Sequence, residues 1–126
     1  MTIRYLADMH FDHDSIIAYD NRPFDSVEEM NEALIANWNR VVTDPEDLTW
    51  ILGDFCFRDG ERWNELLSRL NGRKALILGN HDDTSAVRSE SVRAQLEDVA
   101  EYREILDRDR HVVLCHYPIL AFRDHY

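Results

Sequence analysis

Lysine is almost missing from this sequence: Lys74 stands alone against thirteen arginines. Basic residues number 14 against 25 acidic ones, and the net charge is −11. A surface this short of cations lacks the footprint that grips nucleic acid backbones, so long nucleic acid is disfavoured as a partner. It is equally unsuited to anionic membranes. Long apolar runs are missing too, and none approaches the roughly 20 residues of a membrane span. Two cysteines, Cys56 and Cys115, make no disulfide framework. Four glycines and three prolines leave no flexible linker, so one domain over residues 1–126 is expected. The opening MTIRYLADMH lacks the basic and apolar regions of a signal peptide. The expectation is a cytoplasmic protein with reduced thiols.

Apolar residues at 44% and charged residues at 31% describe a globular chain. Ile3–Ala7, Leu48–Leu52 and Ala75–Leu78 are short apolar runs and read as buried strands. Ser26 with Glu29 three residues later forms a capping box. It opens a helix whose Val27, Met30, Leu34, Trp38 and Val41 share one face. A second helix is predicted over Glu61–Leu70, with Gly72 left-handed beyond it, and a third over Ala86–Val99. Tyr102–Leu106 and His111–Cys115 flank the charged tip 107–110 and read as a hairpin. Strands alternating with helices predict a largely parallel sheet covered on its faces, an α/β class.

Polar clusters recur at one structural position, just past a predicted strand. They are Asp8-Met9-His10, Gly53-Asp54, Gly79-Asn80-His81-Asp82 and Cys115-His116. That edge of an open α/β sheet is where ligands bind. Asp8 and His10 leave an extended segment on the same face and can chelate one ion. Asp54 offers two oxygens that can bridge cations, Asn80 an amide oxygen and His116 an imidazole nitrogen. Such mixed N/O donors suit Mn, Fe, Zn or Ni. Two ions about 3.5–4 Å apart can clamp a phosphoryl oxygen and acidify a water. Each cluster alone reads equally well as a turn or a cap; all four in order, each after an apolar strand, do not.

This series resembles the calcineurin-like metallophosphoesterases over residues 3 to about 118, of the small bacterial or phage type. The resemblance implies a β-sandwich of mostly parallel-type strands flanked by helices. It implies hydrolysis of a phosphate mono- or diester at a dinuclear centre by metal-activated hydroxide. Two divalent ions are the implied cofactors, with Mn favoured and Fe, Zn, Ni or Mg admissible. Asp8 and His10 would hold the first ion, Asp54 would bridge, and Asn80 and His116 would hold the second. Asn80, His81 and Arg58 would contact substrate, with His81 protonating the leaving oxygen and Arg58 gripping phosphate.

Two positions depart from the family pattern. Phe57 stands where many members place a carboxylate that orients the catalytic His; Asp59 or Asp82 would have to replace it. The family's Gly-His-x-His motif, which completes both metal shells, does not occur within 1–126. Three readings stay open: a longer chain, weak metal binding, or ligands from a partner chain through Asp124 and His125. A small phosphorylated substrate is expected, with self-association open. The alternative function is a noncatalytic or weakly active metal- or phosphate-binding remnant. Outside the motifs, Asp12, His13 and Asp14 read as a solvated loop. Arg22-Pro23-Phe24 reads as a structural turn, Trp38, Trp50 and Trp63 as core, and both cysteines as small buried hydrophobes.

Overall fold

The computed structural model describes residues 1–82 and 84–122, without the Thr84 side chain. Asp124 and His125 therefore lie outside the described residues. Four strands form one parallel sheet in sequence order: β1 (Ile3–Leu6), β2 (Leu48–Leu52), β3 (Arg73–Ile77) and β4 (Val99–Ala100). Register runs Ile3↔Leu48, Leu48↔Arg73 and Leu76↔Val99. The helices are α1 (Ile16–Tyr19), α2 (Val27–Val41), α3 (Gly60–Arg69), α4 (Thr84–Arg88) and α5 (Glu90–Ala94). An antiparallel hairpin, β5 (Tyr102–Asp107) and β6 (Arg110–Cys115), makes the second sheet. None of these helices is long and apolar enough to cross a membrane.

Side chains of a strand alternate between faces, and each face of β2 and β3 has its own core. Ile51 and Leu76 join Ile35, Trp38, Trp63, Leu66, Leu67, Val87 and Val92 on the helix side. Trp50, Ala75 and Ile77 meet Leu114, Ile105 and Val112 of the hairpin on the other. The expected α/β architecture is thus observed: helices, a parallel sheet, and a two-stranded layer against its far face. Truncating a fully buried side chain such as Leu76 to Ala in such a core costs about 2–5 kcal/mol.

The expected cap of α2 is in place: Ser26 Oγ accepts from Glu29 N at 3.1 Å. Glu29 reaches back one residue further than a standard capping box, to Asp25 N. The buried face of α2 differs from the expected stripe. Val41 is 54% exposed, and the helix buries Asn31 and Ile35 with Met30 and Trp38. Asn31 turns inward because it is hydrogen-bonded to Asp12. The helix expected over Ala86–Val99 is broken. Ser89 is extended between α4 and α5, and the tail of the segment becomes β4. Edge pairing decides this, since Leu76 N donates to Asp98 O and Leu78 N to Ala100 O. Those bonds satisfy N–H groups of β3 and of the residue just past it that a helix there would leave unpaired.

Candidate metal centre

Because β1, β2 and β3 are parallel, their C-terminal ends share one edge, and the first three motifs arrive there together. The loops after β1 and β2 run side by side: Asp8 N donates to Gly53 O, His10 N to Asp54 O and Phe11 N to Phe55 O. Asp8, His10, Asp12 and Asp54 all take φ between 53° and 62°. Left-handed backbone costs a non-glycine residue roughly 1–2 kcal/mol, so these loops must be held by their surroundings. Arg22 supplies one clamp, donating to Met9 O at 2.8 Å and Asp8 O at 2.7 Å. Asp12 supplies another, accepting from Arg62 Nε at 2.6 Å and from Asn31 at 2.7 Å. Glycine is required twice. A Cβ on Gly53, at φ 93°, would strike the His116 ring, and one on Gly79 would strike Asp54 Oδ1.

Asp82 staples the second and third loops. It is buried, and its carboxylate accepts from Asp54 N (2.9 Å), Phe55 N (2.7 Å) and Gly79 N (2.8 Å). Burial pushes its pKa up, against those three N–H groups. Asp59 caps α3. Neither residue therefore orients His81; Asp54 does so itself. Asp54 Oδ1 accepts from His81 N at 2.9 Å, and Oδ2 lies 3.0 Å from His81 Nδ1. His13 fills the space beside Phe57, their rings stacked at 4.4 Å and 9°.

The buried Asp54 Oδ2 is ringed by imidazoles: His81 Nδ1 at 3.0 Å, His10 Nε2 at 3.4 Å and His116 Nε2 at 3.5 Å. Burial alone would raise the Asp54 carboxyl, but hydrogen bonds from His81 hold it below the usual carboxylate range. Burial lowers His10, against the pull of Asp54, and lowers His13 as well. His116 Nδ1 donates to Leu52 O at 2.9 Å, so its Nε2 carries the lone pair. Asn80 Oδ1 faces that lone pair at 3.0 Å, acceptor against acceptor. Turned over, the same amide would donate to both Asp54 oxygens and to His116 Nε2. A cation favours the first orientation and its absence the second. The donor set of carboxylate, amide oxygen and neutral imidazole fits a borderline divalent ion.

Among the described residues, two groups of side chains each bring their ligand atoms within 4.8 Å of one another: His10, Asp54 and His81, and Asp8, Asp54 and His116. Asp54 belongs to both. The structure thus brings together Asp8, His10, Asp54, Asn80, His81 and His116, though Asp8 groups with His116 rather than with His10. Arg58 is exposed on the turn into α3, near enough to Asp12 to help lower its pKa. Among the described residues no hydrogen bond joins its guanidinium to the cluster. Sequence reasoning passed over Asp12, His13 and Arg22 as loop or turn. Asp12 and His13 are half-buried, and Arg22 holds the first motif's backbone. The one available signal was the spacing of His10 and His13, three apart on a turn closed by His13 N to His10 O.

The chain is similar to known proteins over much of its length. A calcineurin-like phosphoesterase family model matches residues 1–125. Uncharacterized protein MJ1445 of Methanocaldococcus jannaschii is 49% identical over 82 residues, 64% of this chain and 46% of that protein. Gene 66 protein of Mycobacterium phage L5 is 36% identical over 81 residues, 62% of this chain and 38% of that one. The chain therefore spans under half the length of these two relatives. The crystal structure of AQ665 from Aquifex aeolicus, a protein of unknown function, superposes with a TM-score of 0.73 at 30% identity. That match covers 92% of this chain and 60% of the other. With four strand-end motifs converging on one carboxylate and a family match along nearly its whole length, this chain belongs to the calcineurin-like phosphoesterase family.

Proposed function

We propose that this protein hydrolyses a small phosphate ester, mono- or diester, with two divalent ions, Mn favoured. The observation that carries the reading is Asp54 Oδ2, with ring nitrogens from three separate motifs within 3.5 Å. Asn80 and His116 would hold one ion, Asp8 and His10 the other, and Asp54 both; this assignment needs the Asp8 carboxylate to leave the His116 group for His10. When bound, such ions polarise phosphoryl oxygens and lower the pKa of a water. The chain's own groups do the rest. Leu52 O fixes the His116 tautomer, Asp82 locks the second and third loops together, and Arg22 locks the first. His81 is half-exposed with Nδ1 engaged by Asp54, which leaves Nε2 to pass a proton to the leaving oxygen. Asn80 and Arg58 would contact the phosphate. A cytoplasmic setting, a small phosphorylated substrate and self-association complete the proposal.

Turnover of 4-nitrophenyl phosphate and its bis ester, with added Mn²⁺, tests this. His81→Ala should lower turnover roughly 10²–10⁴-fold while Mn²⁺ affinity in calorimetry stays close to wild type. Loss of Mn²⁺ binding in that variant would instead make His81 a ligand. Full Mn²⁺ occupancy with no turnover of either ester would favour a noncatalytic binding module.

A further inference from the structure

We propose that His13 is the positioning residue for His10, fixing it as the tautomer whose lone pair sits on Nε2. The inference rests on reading the Asp54 cluster as a metal centre. His10 Nδ1 and His13 Nδ1 are 2.8 Å apart, a distance that requires one proton between them. That proton belongs to one ring or the other. If His13 holds it, His10 must carry its own proton on Nε2 and donate to Asp54 Oδ2. That contact is 3.4 Å, longer than the roughly 2.7–3.2 Å of a good N–H···O bond, and Oδ2 already faces His81 Nδ1 at 3.0 Å. If His10 holds the proton, Nδ1 donates to His13 and the Nε2 lone pair points at the carboxylate. This is the arrangement a cation completes.

His13 is built to hold this position. The turn bond from His13 N to His10 O folds its ring back toward His10, with ring centroids 5.0 Å apart at 34°. Its other neighbour is Phe57, stacked nearly parallel, and Phe57 is itself anchored by its N–H to Phe11 O at 3.0 Å. Three aligned features thus meet at one ring: a hydrogen bond to His10, a turn, and an aromatic brace from the second loop. Partners of this kind orient metal-ligating histidines, and their loss typically costs about 10–100-fold in metal affinity.

The test uses the full chain and Mn²⁺ alone. His13→Phe keeps a ring against Phe57 but removes the acceptor, and Mn²⁺ affinity by calorimetry should fall about 10–100-fold. His13→Gln restores an acceptor and should recover most of that loss. In the metal-free wild type, ¹⁵N spectra of the imidazoles should show His10 protonated at Nδ1 and bare at Nε2. Wild-type affinity in His13→Phe, or a His10 protonated at Nε2 in the wild type, overturns the proposal. The spectrum is read on the unaltered chain, so a variant that fails to fold does not shield it. His10→Ala separates the two levels. If it binds Mn²⁺ as wild type does, the cluster reading fails. If it loses Mn²⁺ while His13→Phe does not, only the role of His13 fails.

Discussion

At the N-terminal ends of β2 and β3, buried charge meets its opposite or a matched dipole. Asp47 accepts from Thr2 N at 2.8 Å and from the Arg4 guanidinium, which hold its carboxyl low. Lys74, the single lysine, points Nζ at Leu70 O (2.6 Å) and Gly72 O (3.0 Å), closing the C-terminal end of α3. At the C-terminal ends of the same strands the pattern inverts. Asp54, the lone pair of His116 and the amide oxygen of Asn80 converge as acceptors, and the backbone around them is left-handed at Asp54 and at Asp8, His10 and Asp12 of the neighbouring loop. The first end is internally neutralised and serves stability. The second end concentrates acceptors and backbone strain, an arrangement that a cation would complete.

The sharpest way to break this contrast is Asp54→Asn. Mn²⁺ affinity should fall at least 100-fold, and the rise in Tm that saturating Mn²⁺ confers on the wild type should vanish. A ligand at 100 times its Kd stabilises by about 2.7 kcal/mol, so thermal melts with and without Mn²⁺ read both effects. Equal Mn²⁺ stabilisation in wild type and variant would place the cation elsewhere.

Lys74→Met probes the opposite end. It strands two carbonyls and should cost about 1–3 kcal/mol in denaturant unfolding, with Mn²⁺ affinity unchanged. A change in Mn²⁺ affinity there would mean that the two ends are coupled.

The smallest effect is expected at Asp12, which belongs to the site end but is neutralised like the other. Burial opposes ionisation there, yet Arg62 and Asn31 hold its carboxyl below the usual range. A depressed carboxyl contributes stability above its unfolded pKa, near 4, and loses it as pH falls through the folded value. Asp12→Asn should therefore cost about 1–2 kcal/mol at pH 7, and the difference from wild type should shrink to nothing well below pH 4. A difference that persists in acid would show that Asp12 acts through shape rather than charge.

Much of this was legible in the chain. The apolar runs at 48–52 and 75–78 could only be buried strands, and the polar clusters after them had to share an edge once the strands were parallel. Ser26 and Glu29 announced the start of α2 in the correct place. What escaped was set by partners distant in sequence. Val41 satisfies helical periodicity but is exposed at the last position of α2, while Asn31, off the expected stripe, is drawn inward by Asp12. Residues 97–100 have no strong strand pattern of their own, and they pair because β3 offers an open edge. Asp12, His13 and Arg22 look like loop residues until the loop's left-handed backbone needs something to hold it.

Sequence alone determined the inventory: which residues can ligate, their order, and the strands that carry them to one edge. Local periodicity and residue chemistry suffice for that. Only the tertiary structure decided that three imidazoles would crowd one oxygen of Asp54, that Asp82 would bind backbone rather than His81, and that Phe57 would brace His13. Those outcomes depend on contacts between loops 27 to 64 residues apart, whose geometry no local pattern encodes.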